Sequence, residues 1–128
     1  MGSTSLGRVQ LMLMQVLWAR GKATAREITD DLNRLEPIAH STVQTLLRGL
    51  EDKKAVQHKA DGRTFEFFPL VKEANFKRSA TQELLTRVFG GKASDLVTHL
   101  LTEESVSHEE LAEIRKLINR KAKKGTES

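Results

Sequence analysis

Residues 39–70 constrain the fold more than any other stretch, because a helix-period stripe gives way there to two strand-period runs. Val43, Leu46, Leu47 and Leu50 recur in steps of three and four, which buries one side of a helix and turns Thr42, Gln44, Thr45 and Arg48 elsewhere. Val56 to Ala60 and Thr64 to Phe68 then read as two short strands. Asp61-Gly62 joins them, a dipeptide that supplies the positive backbone angles of a tight hairpin turn. Phe65 and Phe67 alternate with Glu66 and are expected to pin the second strand to the helical core.

A helix followed by a hairpin is half of a winged helix-turn-helix; the other half is an earlier helix packed against the first. Thr24-Ala-Arg-Glu27 has the form of a capping box, and Ala25, Ile28, Leu32 and Leu35 make an inner face behind it. Pro37 closes that helix, leaving only a short connection to the next one. Upstream, Leu6, Val9, Leu13, Val16 and Leu17 mark a first helix that stops at Gly21, with Met12 and Met14 off its main stripe and read as packing filler rather than a partner groove. The leading residues 1–5 are expected to stay mobile.

Ser41 has two competing roles. It can cap the helix, or, if the helix begins one or two residues earlier, it joins Thr42, Gln44 and Thr45 in the first turns, where a recognition helix meets DNA. The second arrangement is favoured. Gln44 suits an adenine edge, and the threonines suit a phosphate or a thymine methyl. Lys53, Lys54, Lys59 and Arg63, at the far end of this helix and on the wing, then offer charge to phosphates, and Arg48 joins the expected DNA-binding residues without an assigned role. Gly49 is unusual inside a helix and is read as allowing close packing or approach to a backbone.

Beyond residue 71 three more amphipathic helices follow. The first ends in Phe89 before the break Gly90-Gly91, and Ser107-His-Glu-Glu110 is a capping box opening the last. Leu84, Val88, Phe89, Leu96, Leu100, Leu111, Ile114, Leu117 and Ile118 form apolar faces too extensive for one thin layer against a small winged domain. A second copy of the chain is the expected cover, as an isologous homodimer. The fold expected is therefore mainly α with a small β wing: residues 1–70 a winged helix-turn-helix DNA-binding domain, 71–121 a three-helix dimerisation region and 122–128 a basic flexible tail.

The net charge of +4 favours an anionic partner without compelling one, since 17 acidic residues stand against 21 basic ones. No cysteine is present, which excludes disulfides and thiolate metal sites. The four histidines are scattered outside any metal-ligand spacing, and no nucleophile or phosphate-loop motif occurs, so neither a metal, a cofactor nor an enzymatic activity is expected. With no long apolar run, the chain reads as soluble, cytoplasmic and independent of the membrane. Two uses remain open on these grounds: binding of double-stranded DNA, or a winged-helix module that holds a protein partner without touching nucleic acid.

The segment His-Ser-Thr-Val-Gln-Thr-Leu-Leu-Arg-Gly-Leu-Glu-Asp-Lys-Lys (40–54), the wing Asp-Gly-Arg-Thr-Phe-Glu-Phe-Phe-Pro-Leu (61–70) and Val-Phe-Gly-Gly-Lys-Ala-Ser-Asp-Leu-Val (88–97) resemble the penicillinase repressor group, BlaI/MecI/CopY. The resemblance spans about Leu6 to Lys121. It implies a dimeric transcriptional repressor that binds an inverted-repeat operator through its amino-terminal domain. In members that respond to beta-lactams it also implies release by a regulatory protease; the matching bond here is His99-Leu100. This chain departs by having histidine and leucine where those repressors have asparagine and phenylalanine. Its Arg48-Gly49 also departs, because relatives commonly carry the arginine at the position of Gly49. The copper-responsive members use cysteine pairs, which this chain lacks.

Overall fold

The computed structural model describes residues 6–127; the leading segment 1–5 lies outside them. Its elements are α1 (Arg8–Arg20), β1 (Ala23–Thr24), α2 (Ala25–Asn33), α3 (His40–Asp52), β2 (Val56–Asp61), β3 (Thr64–Pro69), α4 (Glu73–Phe89), α5 (Ala93–Glu103) and α6 (His108–Glu127). They fall into two compact units, Met1–Thr81 and Gln82–Ser128. The expected boundary at 70/71 thus lies inside the first unit. Trp18 explains the extension: its Nε1–H donates to the Val71 carbonyl at 2.8 Å, and its ring lies 5.5 Å from that of Phe76 in α4.

In the first unit Leu13, Met14, Leu17, Ile28, Leu32, Val43, Leu47, Leu50 and Val56 form a core closed to solvent. Met14, read as packing filler off the main stripe, is fully buried in this core. Helix α1 packs against both α2 and β3, so its buried arc is wider than one stripe. Thr24 caps α2 as expected: its Oγ1 accepts the Glu27 N–H at 3.1 Å, while the Glu27 carboxylate accepts the Thr24 N–H at 2.9 Å. The helix stops at Asn33, short of Pro37, because the Asn33 amide bonds both the N–H and the carbonyl of Ile38 and so stitches the turn to α3. Leu35, expected on the inner face, consequently falls in that turn and is 70% exposed.

Helix α3 ends in a Schellman arrangement, with Lys54 N–H on the Glu51 carbonyl and Ala55 N–H on that of Leu50, both at 2.9 Å. Lys54 takes the left-handed conformation this requires, at φ 63°. The chain then enters a three-stranded antiparallel sheet of order β1-β3-β2, in which Asp61 pairs Thr64 and His58 pairs Phe67. The hairpin turn is therefore Gly62-Arg63 rather than Asp61-Gly62, with Gly62 at φ 66° as the first central residue, the glycine position of a type II′ turn. Strand β1, pairing Ala23 with Phe67 and Thr24 with Glu66, was too short to leave a pattern in the sequence.

Two side-chain expectations change. Phe67 is buried, but Phe65 is 52% exposed: the core ends beneath Phe67, and the hairpin continues past it as a wing. A Cβ added at Gly49 would meet only Gln10 Nε2, at 3.8 Å, so no close backbone approach requires glycine there.

In the second unit Gly90 and Gly91, at φ 58° and 81°, turn the chain after α4, and the Ser107 hydroxyl accepts the Glu110 N–H at 3.1 Å to start α6. Helix α6 continues to Glu127, past residue 121 where a tail was expected. Helices α4 and α5 bury no residue, and Leu84, Val88, Leu100, Leu117 and Ile118 stand exposed. No helix among the described residues is long and apolar enough to cross a membrane.

Candidate nucleic-acid interface

Helix α3 begins at His40 with Ala39 as its cap residue, so the Ser41 hydroxyl does not cap the helix and sits in its first turn. Ser41, Gln44, Thr45 and Arg48 follow the i, i+3, i+4, i+7 spacing of a single helix face, and all four are exposed. The opposite side carries Val43, Leu47 and Leu50 into the core, which fixes how this polar stripe is presented. Thr45 Oγ1 donates to the Ser41 carbonyl at 3.1 Å, which commits its proton and leaves the oxygen as an acceptor. Thr42 is exposed but lies off this stripe, in line with Leu46 and Gly49.

Between α3 and the wing runs a cleft of about 480 Å³. Leu47 and Phe67 line its apolar part; Arg26 enters from α2, and His40, Gln44, Arg48 and Glu51 from successive turns of α3. His58 and Phe65 face it from the hairpin, their rings stacked with centroids 4.4 Å apart. His40 is held in one orientation. Thr29 Oγ1 gives its single proton to the Ala25 carbonyl, 2.8 Å away, and so accepts from His40 Nδ1–H at 2.8 Å, leaving Nε2 as the ring's remaining polar atom.

Charge around this face is unevenly neutralised. The Asp31 carboxyl is held below the usual carboxylate range by hydrogen bonds from Arg20, that of Glu36 by Arg8, and that of Glu27 by the Thr24 amide and, less, by Arg20. Those acids thus remain ionised and engaged with α1 or the α2 cap. None of the ion pairs among the described residues uses Arg26 or Arg48. Two guanidiniums from two helices therefore reach one concave surface without a protein counter-ion, which suits a polyanion.

The remaining sequence candidates lie outside the cleft. Arg63 is exposed in the wing turn, whereas Lys53, at the end of α3, donates to Gln10 of α1 at 3.2 Å. Neither lines the cleft. His99 and Leu100 lie within α5, both exposed, with the His99 ring 5.9 Å from that of Phe89. Phe89, Leu96, Leu111 and Ile114 are half-buried in the second unit. Sequence reasoning gave Arg26, His40, Glu51 and His58 no part in the site and assigned Phe65 to the core. The signal available was the four-residue step His40, Gln44, Arg48 along α3; Arg26 and the wing residues join it only through the fold. No group of three or more potential metal ligands occurs among the described residues.

Comparison with known proteins agrees with this geometry. The methicillin resistance regulatory protein MecI of Staphylococcus aureus (strain N315) is 26% identical over 109 residues, covering 85% of this chain and 89% of that protein. The penicillinase repressor of Bacillus licheniformis is 26% identical over 109 residues, covering 85% of each. The solution structure of the DNA-binding domain of the repressor BlaI superposes with a TM-score of 0.52 at 26% identity, covering 56% of this chain and 88% of that one. The complex structure of hsRosR-SG shares the fold over 95% of this chain and 96% of its own, with a TM-score of 0.54 at 15% identity. Residues 6–120 match the family model described as penicillinase repressor. With the winged helix, its exposed polar stripe and a match running almost end to end, the chain belongs to the penicillinase repressor family.

Proposed function

We propose that this DNA-binding repressor acts as a homodimer on an inverted-repeat operator, reading each half-site with Ser41, Gln44 and Thr45 of α3 while Arg48 on the same face contacts phosphate. Thr42, Lys53 and Arg63 add flanking contacts. The observation that carries the reading is the polar stripe of α3 beside a cleft holding two unneutralised arginines. Gln44 is the side chain suited to bidentate pairing with an adenine edge, and the arginines supply sequence-independent attraction to phosphates. The exposed leucines, valines and isoleucine of α4, α5 and α6 are the surface a second copy would cover. Joining two half-sites through such a dimer makes the second contact intramolecular, so two weak contacts bind together.

The reading extends to release. A regulatory protease cutting His99-Leu100 would sever α5 and with it the linkage between half-sites, after local unwinding of the helix around that bond. Selection from random duplexes with the full chain tests the central claim. An enriched inverted repeat whose base preference is lost in Gln44→Ala supports it; an enriched site read equally well by that variant refutes the role of Gln44. A selection that enriches no palindrome favours a module that holds a protein partner instead.

A further inference from the structure

His40 opens α3, and one side of its ring is already committed. The Ala25 carbonyl can only accept, so its 2.8 Å contact with Thr29 Oγ1 takes the hydroxyl proton, and Oγ1 in turn accepts from His40 Nδ1–H at 2.8 Å. Thr29 is 3% exposed, which shields both bonds from water and fixes which ring nitrogen carries the proton. His40 Nε2 has no hydrogen-bond partner among the described residues. Among those residues the buried side-chain polar atom left without a partner is His58 Nδ1, so Nε2 of His40 reaches solvent, and its ring lines the cleft. A neutral imidazole protonated on Nδ1 carries its lone pair on Nε2. The first turn of α3 thus holds a hydrogen-bond acceptor in a set orientation, anchored to α2.

We infer that His40 Nε2 is a specificity-determining group of this repressor, accepting a hydrogen bond from the exocyclic amine of a cytosine in the major groove of the operator. This inference rests on the DNA-binding reading above. A lone pair repels phosphate oxygens, which leaves base edges as its partners on a duplex. In the major groove the donors are cytosine N4 and adenine N6. Adenine sets its N7 lone pair beside that amine, against an isolated acceptor, whereas cytosine offers the amine with no acceptor of its own there. Arg26 and Arg48 in the cleft can only donate, and Gln44, four residues further along α3, suits adenine, so the ring selects a base that they do not. Glu51, the carboxylate lining the cleft, stands about three helical turns beyond His40 and lies 2.7 Å from His58 Nδ1. Four residues of helix advance about 6 Å, about two base-pair steps, so the cytosine lies within about two base pairs of the position Gln44 contacts. Thr29 is a positioning residue: without its oxygen the ring is free to turn, or to carry its proton on Nε2.

The test is fluorescence anisotropy of the full chain on its selected duplex and on single-base-pair variants of it, at about pH 8, where an ordinary imidazole is neutral. The wild type is expected to bind about tenfold more weakly when that cytosine and its guanine are changed to thymine and adenine, which puts a carbonyl oxygen in place of the amine. His40→Asn keeps an amide N–H for Thr29 but has no atom at the Nε2 position. It binds the two duplexes alike and retains the preference set by Gln44, which a misfolded protein cannot do. Thr29→Val touches no base, yet narrows the difference to less than about threefold. A selected half-site with no G·C pair at that spacing, which wild-type protein alone reveals, overturns the inference while leaving the DNA-binding reading intact. So does a full cytosine preference in either variant, or a loss in His40→Asn that is equal for every sequence. Absence of duplex binding by the wild type overturns both.

Discussion

Replacing Leu117 and Ile118 with alanine asks whether the apolar surface of α6 is an interface between copies. The two side chains are 55% and 56% exposed, so each has roughly half of its surface left to remove from water. Full burial of a leucine or isoleucine contributes about 1.5–3 kcal/mol, which leaves about 0.8 kcal/mol per position for association once the retained methyl is discounted. In an isologous interface each substitution is felt twice, so the double variant is expected to lose about 3 kcal/mol, about a hundredfold in the dimer dissociation constant. Alanine keeps the helix, since it has the highest helix propensity. Sedimentation equilibrium over a concentration series reads the constant directly, and the thermal melt of the winged unit serves as the control for folding. A wild-type chain that is monomeric throughout, or a variant whose constant moves by less than about threefold, refutes the assignment of this face.

Three further outcomes are expected. Arg26→Gln and Arg48→Gln should each weaken duplex binding nearly equally across sequences and reduce the slope of log K against log salt by about one, measured by anisotropy titrations at several salt concentrations. Gly49→Ala should raise stability by about 1 kcal/mol in urea denaturation, because the added methyl meets only an ordinary contact with Gln10 and the helix interior gains propensity. Asp31 has a folded-state carboxyl held below its unfolded value by Arg20, so the stability it contributes is present above about pH 4 and is lost as pH falls through the depressed value. Urea midpoints followed into acid should fall in the wild type and fall less in Asp31→Asn.

The order of elements and the exposed polar face of α3 were legible in the sequence because they rest on local rules. A 3.6-residue period placed Val43, Leu47 and Leu50 inward and Gln44 and Arg48 outward, and a capping box marked the start of α2 at Thr24. Those signals use only neighbours a few residues apart. Where they failed, a distant contact had intervened: Met14 is buried because α1 touches two other elements, Leu35 is exposed because Asn33 holds the turn, and Phe65 overhangs the point where the core ends.

The amino-acid sequence alone thus determined the winged architecture and the side of α3 that faces outward, since periodicity is written in consecutive residues. Only the tertiary structure decided what surrounds that face. Arg26, Arg48, Glu51 and His58 are separated by up to 32 positions in the chain, and they line one cleft because α2, α3 and the hairpin pack on a common core. Which charges remain unpaired, and which ring nitrogen of His40 is left free, depends on distances that no local pattern encodes.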